Sequence, residues 1–238
     1  MRLARLDLVG RRSQVWCEAR LSGFAEDFDG SQWVIAREQS VFLIDALEPS
    51  FEALASFDMD AFVMAIGRSA SSCTLLKNEM TGPTRVRFEL PSWTLRASKL
   101  LEARSPGGPI HGVSAASATT AAWLAQPAPE EGSVPPQLFV ARDGVADRAA
   151  SLAWPRGAVA HAVSTRGGWI ACAVHTAAGI EIQLVDEAGL AARAQIALGG
   201  ATRAALRLSD DTLTIADDRG RVLVVDLAYG SVVQDLRV

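Results

Sequence analysis

The sequence predicts an all-β fold that is built from repeated units of four short antiparallel strands. The unit is clearest in Ala201–Val238, where three turn clusters separate short apolar runs and no apolar period of 3.6 residues survives. A similar order of turns and strands recurs earlier, because Gly30 lies 15 positions before Asp45 and Asp211 lies 15 positions before Asp226. Such sheets are apolar on both faces, so each needs a neighbouring sheet on either side.

The last unit defines the pattern. Ser209-Asp210-Asp211 favours a turn because these short side chains bond to the backbone, and Gly220 ends a second turn, where it is free to adopt positive φ. The run Arg221–Asp226 is almost continuously apolar, as is typical of a strand covered on both faces. The predicted strands of this unit are Arg203–Leu208, Thr212–Ala216, Arg221–Asp226 and Val232–Val238.

The preceding chain contains further short β-type runs bounded by turn residues. In order, they are Met1–Val9, Gln14–Leu21, Gln32–Arg37, Val41–Asp45, Glu52–Phe57, Ala61–Gly67, Cys73–Leu76, Arg85–Leu90, Trp93–Lys99, Ile110–Ala115, Thr119–Ala125, Leu138–Arg142, Ala149–Ala153, Val159–Ser164, Trp169–Val174, Ile180–Asp186 and Ala191–Leu198. Between residues 50 and 105 the register stays open, and Phe62–Gly67 fits either the first or the second strand of its unit.

The unit resembles the blade of a WD40-type β-propeller, in which a turn precedes the second strand and the third strand ends in an apolar residue followed by Asp. Ile44-Asp45, Val185-Asp186 and Val225-Asp226 occupy the place of the Trp-Asp pair. The Trp is absent at all three places and no Gly-His pair opens the units, so the resemblance is to the generic repeat propeller. It implies a rigid wheel that presents loops on two faces.

Spacing predicts the number of blades. Trp33, Trp169 and Thr212 each open a second strand, in steps of 136 and 43 residues, and the first step is close to three repeats of about 45. We therefore predict one domain over 1–238, with five blades at roughly 14–57, 58–103, 109–153, 158–198 and 201–238; six shorter blades are the alternative. Met1–Val9 is left over and is predicted to close the ring by pairing with the C-terminal strand, which would hide two sheet edges.

Composition restricts the class of protein. The net charge is −4 and no basic stripe is present, so nucleic acid is not expected as a partner. No apolar run reaches the length of a signal peptide or a membrane span, which predicts a cytoplasmic protein. Cys17, Cys73 and Cys172 lie far apart without zinc spacing and are predicted to be buried thiols in a reducing compartment. Two Lys against 21 Arg, with abundant Ala, Gly and Val, indicate a GC-rich, bacterial genome.

No pattern of catalytic or metal-binding residues stands out. His111, His161 and His175 lie outside any nucleophile motif, and the recurring Asp residues are interpreted as turn residues that bond the following amides, with a carboxylate ring as the alternative. The innermost strands Val159–Ser164 and Ala204–Leu208 carry no acid, which counts against a glycosidase. We predict a chain without enzymatic activity, cofactor or metal.

The first functional hypothesis is a protein-interaction module, a scaffold within a bacterial multi-component system. Two Pro- and Gly-rich stretches, Arg104–Gly112 and Gln126–Gln137, are predicted as exposed loops, the second being either a blade insertion or a linker. Trp154 is predicted to be exposed before a turn. The candidate partner-contacting residues are Pro106, His111, Pro127, Glu130, Glu131, Pro135 and Trp154.

Two alternatives belong to other classes. One is a small-ligand- or carbohydrate-binding propeller, such as a lectin or a glycoside hydrolase, which would need aromatic and acidic side chains that converge. Six Trp are available for sugar stacking, although most are expected in the core, and Tyr229 is the only tyrosine. The other is an accessory domain of a longer polypeptide.

Overall fold

The computed structural model describes residues 3–7, 12–17, 23–26, 32–37, 39–45, 53–69, 71–79, 82–90, 92, 94–100, 112–126, 134–142, 145 and 147–237. Within these ranges all regular secondary structure is β-strand. No helix in them is long and apolar enough to cross a membrane.

The strands follow one another in chain order and are joined mostly by short turns. Their bounds are β1 Leu3–Asp7, β2 Arg12–Cys17, β3 Gly23–Glu26, β4 Gln32–Arg37, β5 Ser40–Asp45, β6 Ala53–Asp58, β7 Phe62–Arg68, β8 Ser72–Glu79, β9 Gly82–Glu89, β10 Thr94–Leu100, β11 Gly112–Ala116, β12 Thr120–Ala125, β13 Gln137–Arg142, β14 Arg148–Ser151, β15 Val159–Arg166, β16 Trp169–Thr176, β17 Gly179–Asp186, β18 Ala191–Gly199, β19 Ala204–Leu208, β20 Thr212–Asp217, β21 Arg221–Asp226 and β22 Ser231–Arg237.

These strands form five four-stranded antiparallel sheets and one two-stranded sheet within the described chain. We number the four-stranded sheets I (β3–β6), II (β7–β10), III (β11–β14), IV (β15–β18) and V (β19–β22), and in each the strands are neighbours in sequence order. The first strands of successive sheets contact one another in series, β3 with β7, β7 with β11, β11 with β15 and β15 with β19. The all-β, repeated four-stranded architecture predicted from the sequence is therefore present.

One hydrophobic core fills each gap between successive numbered sheets. The core between sheets IV and V contains Ile182 and Leu184 from one side and Leu213 and Ile215 from the other. The core between sheets II and III contains Trp123, which is fully buried and stacks on Phe139 with ring centroids 5.4 Å apart. In sheets III and IV the middle strands supply residues to a core on each side, so their sequences are nearly continuously apolar.

The structure resolves the register between residues 50 and 105. Phe62–Arg68 is the first strand of sheet II and pairs only with β8 within that sheet. The inner edge of this strand lies very close to sheet III, because a Cβ added at Gly67 would be 2.2 Å from the carbonyl oxygen of Ser117. Glycine is required there because no side chain fits between the two backbones.

The start of the chain differs from the prediction. Gln14–Leu21 was expected to open the first four-stranded unit, but β2 (Arg12–Cys17) pairs with β1 in a separate sheet. Sheet I begins instead with the short strand Gly23–Glu26, which pairs with β4. A run of four residues is too short to show the apolar alternation of a strand, so β3 is recognised only by its pairing with β4 in the structure.

Closure of the ring by shared terminal strands is not seen among the described residues. Strand β1 pairs with β2, and β22 pairs with β21, in two different sheets. Five blades in a closed ring therefore remain a prediction, whereas the five stacked four-stranded sheets are observed.

Several local predictions are confirmed. Gly220 has φ of +76° in the turn after β20. Cys73 and Cys172 are both fully buried free thiols, and burial raises the pKa of Cys73 to about 12. The side chain of Cys17 lies outside the described residues.

Candidate functional site

Two grooves lie side by side along one edge of sheets III, IV and V. We call this the upper edge, at which the second strand of each sheet begins and the third strand ends. In sheet IV this edge is marked by the pair Trp169 and Asp186, and in sheet V by Thr212 and Asp226. The turn Glu187–Leu190 after β17 separates the two grooves, since Asp186 lines one and Glu187 lines the other.

The first groove, the Tyr229 groove, lies between sheets IV and V and has a volume of about 300 Å³. Its lining consists of Trp169, Asp186, Arg193 and the turn residues Leu227–Gly230. Tyr229, the only tyrosine in the sequence, is 84% exposed. A tyrosine has only two side-chain torsion angles, so its ring loses little entropy on binding, and its place beside the half-buried Trp169 suits recognition of a ligand.

The polar wall of the Tyr229 groove is an ion pair. Arg193 donates from Nη2 to Oδ2 of Asp186 at 2.9 Å, and the amide of Ala188 donates to Oδ1 at 2.8 Å. The hydrogen bond from Arg193 lowers the pKa of Asp186, and the hydrogen bond from the Ala188 amide adds a smaller effect in the same direction. This carboxylate therefore remains charged and is unsuited to act as a general acid. Arg193 keeps 57% of its side chain exposed and can donate further hydrogen bonds to a ligand.

Hydrogen bonds from backbone amides to aspartate side chains stabilise the turns that carry these groups. The amide of Tyr229 donates to Oδ1 of Asp226 at 3.0 Å, in the manner of Ala188 and Asp186 in sheet IV. The interpretation of these recurring Asp residues as turn residues is confirmed for Asp186 and Asp226, whereas the side chain of Asp45 lies outside the described residues.

The second groove, the Glu187 groove, lies between sheets III and IV and has a volume of about 200 Å³. Glu187 is 5% exposed and accepts a hydrogen bond of 2.8 Å from Oγ1 of Thr120. Nε of Arg142 lies 3.4 Å from the same carboxylate oxygen, and Arg148 donates to the carbonyl of Ala188. The buried carboxylate is thus paired on the side of sheet III.

A leucine stands where Glu187 would be expected in the next sheet. Asp186 and Asp226 end equivalent strands, so Glu187 corresponds to Leu227, which is 2% exposed. A buried acid at an apolar position of a repeat breaks the local rule, and such positions are where function is to be sought.

Of the seven predicted contact residues, five lie outside the described residues and two lie within them. Pro106, His111, Pro127, Glu130 and Glu131 lie outside the described residues. Pro135 is half-buried just before β13. The predicted exposure of Trp154 is wrong, because it is 8% exposed and packs in the core between sheets III and IV.

The second predicted loop starts and ends at the lower edge of sheet III, opposite the grooves, and the first predicted loop ends at that edge. Gly112, which follows the first loop, pairs with Ala125, and Ala125 pairs with Gln137 across the second. Thr120 and Arg142, which border the Glu187 groove, mark the upper edge of the same sheet. The described ends Gly112, Gln126 and Gln137 of these stretches therefore lie at one edge of sheet III, and the grooves lie at the other.

Polar groups on the first strands bind neighbouring sheets. Nε2 of His161 accepts a hydrogen bond of 2.9 Å from the amide of Ala204, and Ser114 donates to the carbonyl of Met64 at 3.1 Å. Among the described residues, no three His, Cys, Asp or Glu side chains gather in a group that could hold a metal ion.

Comparison with known proteins identifies the architecture. Hsv2 from Kluyvelomyces marxianus has a TM-score of 0.56 at 13% identity, over 95% of this chain and 69% of that chain. The fold is a β-propeller-like repeat. The computationally designed Ika8 protein is similar to a comparable degree, with a TM-score of 0.58 and 13% identity over 94% of this chain and 68% of that one. No family model and no curated protein matches the sequence.

Sequence reasoning did not identify the groove residues of this propeller-like fold. Tyr229, Trp169 and Arg193 come from two sheets, and only their packing brings them together. Two signals were present, namely an aromatic residue at the tip of a tight turn and the acid Glu187 at a position that is leucine in the last unit.

Proposed function

We propose that this chain is a non-catalytic protein-interaction module, a scaffold whose WD40-like wheel of five blades recognises a peptide segment of a partner within a multi-component assembly. The observation that supports it is the Tyr229 groove, where an 84% exposed tyrosine stands beside Trp169 and the Asp186–Arg193 pair. Tyr, Trp and Arg are the residues that most often dominate the energy of protein interfaces.

Peptide selection tests this proposal. A random peptide library is selected on the immobilised protein, and the affinity of a selected peptide is measured by fluorescence anisotropy. Tyr229→Ala is expected to weaken binding by about 30-fold, the equivalent of a hot-spot residue worth about 2 kcal/mol. The matched control is His175→Ala, an exposed aromatic side chain near the lower edge of sheet IV.

The control should bind like the wild type. Equal affinities of Tyr229→Ala and the wild type would contradict the proposal for this groove. Deletion of residues 127–133 tests the predicted lower-edge loop in the same assay, because loss of binding there would transfer the contact to that edge.

Carbohydrate binding is the second candidate, and the same groove favours it. Two aromatic rings beside a carboxylate and a guanidinium match the stacking and hydrogen-bonding needs of a sugar, and about 300 Å³ is at the lower end of ligand-site volumes. A glycan array separates the two candidates: a sugar signal that Tyr229→Ala abolishes, without any selected peptide, would favour the lectin-like function.

A further inference from the structure

The Glu187 groove contains two arginines that belong to one sheet and contact the next. Arg142 ends β13 and Arg148 begins β14 of sheet III. Val140 pairs with Arg148 in the strand register and lies two positions before Arg142, so all three side chains project from the same face of sheet III, toward sheet IV. Both guanidinium groups therefore line one volume of about 200 Å³.

Two consecutive residues of sheet IV hold these arginines. Nε of Arg142 lies 3.4 Å from Oε1 of Glu187, and Nη1 of Arg148 donates to the carbonyl oxygen of Ala188. Neither arginine has a further polar partner among the described residues. Because a guanidinium group carries five N–H donors, most donors of both side chains remain available to a ligand. The side chain of Arg142 is 51% exposed, so a ligand can reach it.

The charges of the groove favour an anion with a single charge. Among the described residues that line it, Glu187 is the one acid, so two positive charges against one negative charge leave a surplus of +1. Asp147 precedes Arg148 in the sequence, but it has an interaction of its own and does not line the groove. The buried carboxylate of Glu187 repels a dianion about twice as strongly as a monoanion, which disfavours a phosphate group.

Packing alone does not require polar groups at this interface, as the next interface shows. Strand register places Leu227 of sheet V where Glu187 lies in sheet IV, and Leu208 where Thr165 lies. Both leucines are buried in the core between sheets IV and V. Glu187 and Thr165 are also buried, and the hydroxyl of Thr165 has no hydrogen-bond partner among the described residues. Because leucine serves both positions in sheet V, the polar groups of sheet IV indicate a role other than stacking.

The size and the apolar wall of the groove restrict the ligand further. A volume of about 200 Å³ lies below the roughly 300–1,000 Å³ of sites for drug-sized molecules, so the groove has room for a single residue of a peptide. Val140 and Val145 lie beside the two arginines, and Val145 is 47% exposed. A carboxylate on a short aliphatic group matches both parts, because guanidinium groups donate to its oxygens and the valines contact its carbons.

We propose that the Glu187 groove binds a carboxylate of a partner peptide, which accepts hydrogen bonds from Arg142 and Arg148 while its aliphatic carbons pack on the two valines. Glu187 holds Arg142 and limits the surplus charge, so a carboxylate binds in preference to a phosphate. A C-terminal carboxylate and an acidic side chain share this chemistry. The site is separate from the Tyr229 groove, so the proposal is independent of the peptide recognition proposed there.

Side-chain NMR tests the site directly, because the Nε–H groups of Arg142 and Arg148 can each be observed in ¹⁵N-labelled protein. Two probes separate the two sources of the carboxylate. N-acetylvaline carries a terminal carboxylate, and N-acetylglutamic acid α-amide carries only a side-chain carboxylate. Their uncharged controls are N-acetylvalinamide and N-acetylglutamine α-amide. At least one acid should shift both arginine signals in a saturable manner and bind about 10-fold or more tightly than its control.

Substitution of either arginine should remove this binding. Arg148→Gln leaves the pair of Glu187 and Arg142 in place and should weaken the preferred acid by about 10-fold or more, and Arg142→Gln should do the same. Arg166→Gln is the matched control, because Arg166 has the same 51% side-chain exposure but is paired with Asp210. It should bind the probes like the wild type. The backbone amide spectrum of each variant verifies that it is folded.

Methyl phosphate measures the preference between anions at about pH 7.5, where it is mostly a dianion. The wild type should bind it more weakly than the preferred acid. Glu187→Gln retains an acceptor for the hydroxyl of Thr120 but removes the negative charge, so the preference should move toward methyl phosphate by about 5-fold or more. The ratio of the two dissociation constants is the readout, because a purely structural effect would weaken both probes alike.

Several results would overturn the proposal. They are the absence of saturable shifts at both arginines with either acid, equal binding of each acid and its control, tighter binding of methyl phosphate than of either acid by the wild type, unchanged binding by Arg148→Gln, and an unchanged ratio in Glu187→Gln. A response to N-acetylvaline alone supports the proposal with a C-terminal carboxylate as the ligand. A response to the glutamic acid probe alone supports it with an acidic side chain.

Discussion

Two adjacent valines on β21 give a direct measure of how the two faces of sheet V differ. Val225 faces sheet IV and is fully buried, whereas Val224 lies on the opposite face of sheet V and is half-buried. The substitutions Val225→Ala and Val224→Ala remove the same two methyl groups from the same strand. Their β-propensity cost is therefore largely shared, and the difference between them reports burial.

The expected magnitudes follow from burial. At Val225, loss of two buried carbons costs about 1.6 kcal/mol in transfer free energy, and the cavity left between sheets IV and V raises this to about 2–3 kcal/mol. At Val224 no cavity forms, and the half-buried side chain gains less transfer free energy on folding because part of it stays in water. We therefore expect its truncation to cost below about 1 kcal/mol. The two variants should thus differ by at least about 1 kcal/mol in free energy of unfolding.

Urea denaturation followed by tryptophan fluorescence measures both values, provided that the m-values agree with the wild type. Equal destabilisation by the two substitutions would refute the reasoning, because it would mean that Val224 is as fully buried in solution as Val225. Repeating the measurement at a tenfold lower protein concentration separates coverage by the chain itself from coverage by a second copy.

Three further predictions concern single positions. Gly67→Ala should lower the free energy of unfolding by about 3 kcal/mol, because its Cβ would meet the backbone of sheet III, whereas Gly199→Ala, with nothing within 4 Å, should cost under about 1 kcal/mol in the same denaturation assay. Asp186→Asn should lower the thermal midpoint at neutral pH, and the difference from wild type should disappear in acid. The hydrogen bond from Arg193 lowers the pKa of Asp186 in the folded protein below the ordinary value of 3.8. The ionised carboxylate therefore stabilises the folded protein above pH 3.8, and this stabilisation is lost as the pH falls through the lower folded pKa. A difference that persists at pH 2 would contradict this ion-pair account. Glu187→Leu combined with Thr120→Val should fold about as stably as the wild type, because apolar groups replace both hydrogen-bonded partners, whereas Glu187→Leu alone should be less stable by about 1–3 kcal/mol, because it leaves the buried hydroxyl of Thr120 unpaired; calorimetry that shows both variants equally destabilised would disprove it.

Local sequence information predicted the strands well wherever turn chemistry is strong. In the last two units, strands such as β21 and β17 were located to within one residue, because Asp, Ser and Gly turns bound short apolar runs on both sides. Near the start, the four-residue β3 was missed, and the predicted strand Gln14–Leu21, which overlaps β2, was assigned to the wrong sheet. A strand of that length has no readable period, and its partner is a matter of packing.

The functional surface could not be predicted in the same way. The composition of the Pro-rich stretches directed attention to the lower edge of sheet III, whereas the grooves lie at the upper edge. Trp154 was expected to be exposed because a turn follows it, but the neighbouring sheet IV covers its ring. A residue's exposure depends on which sheet stacks upon it, and that contact is remote in sequence.

The sequence by itself determined the all-β class, the four-strand unit and the turns, because backbone preferences and alternating apolar residues act over a few neighbouring positions. Only the tertiary structure decided that Tyr229 meets Trp169 across two sheets, that Glu187 is paired with Thr120, and that Val225 is buried while its neighbour Val224 is half-buried. These features arise where separate sheets meet, and the strength of each depends on burial and distance between residues tens of positions apart.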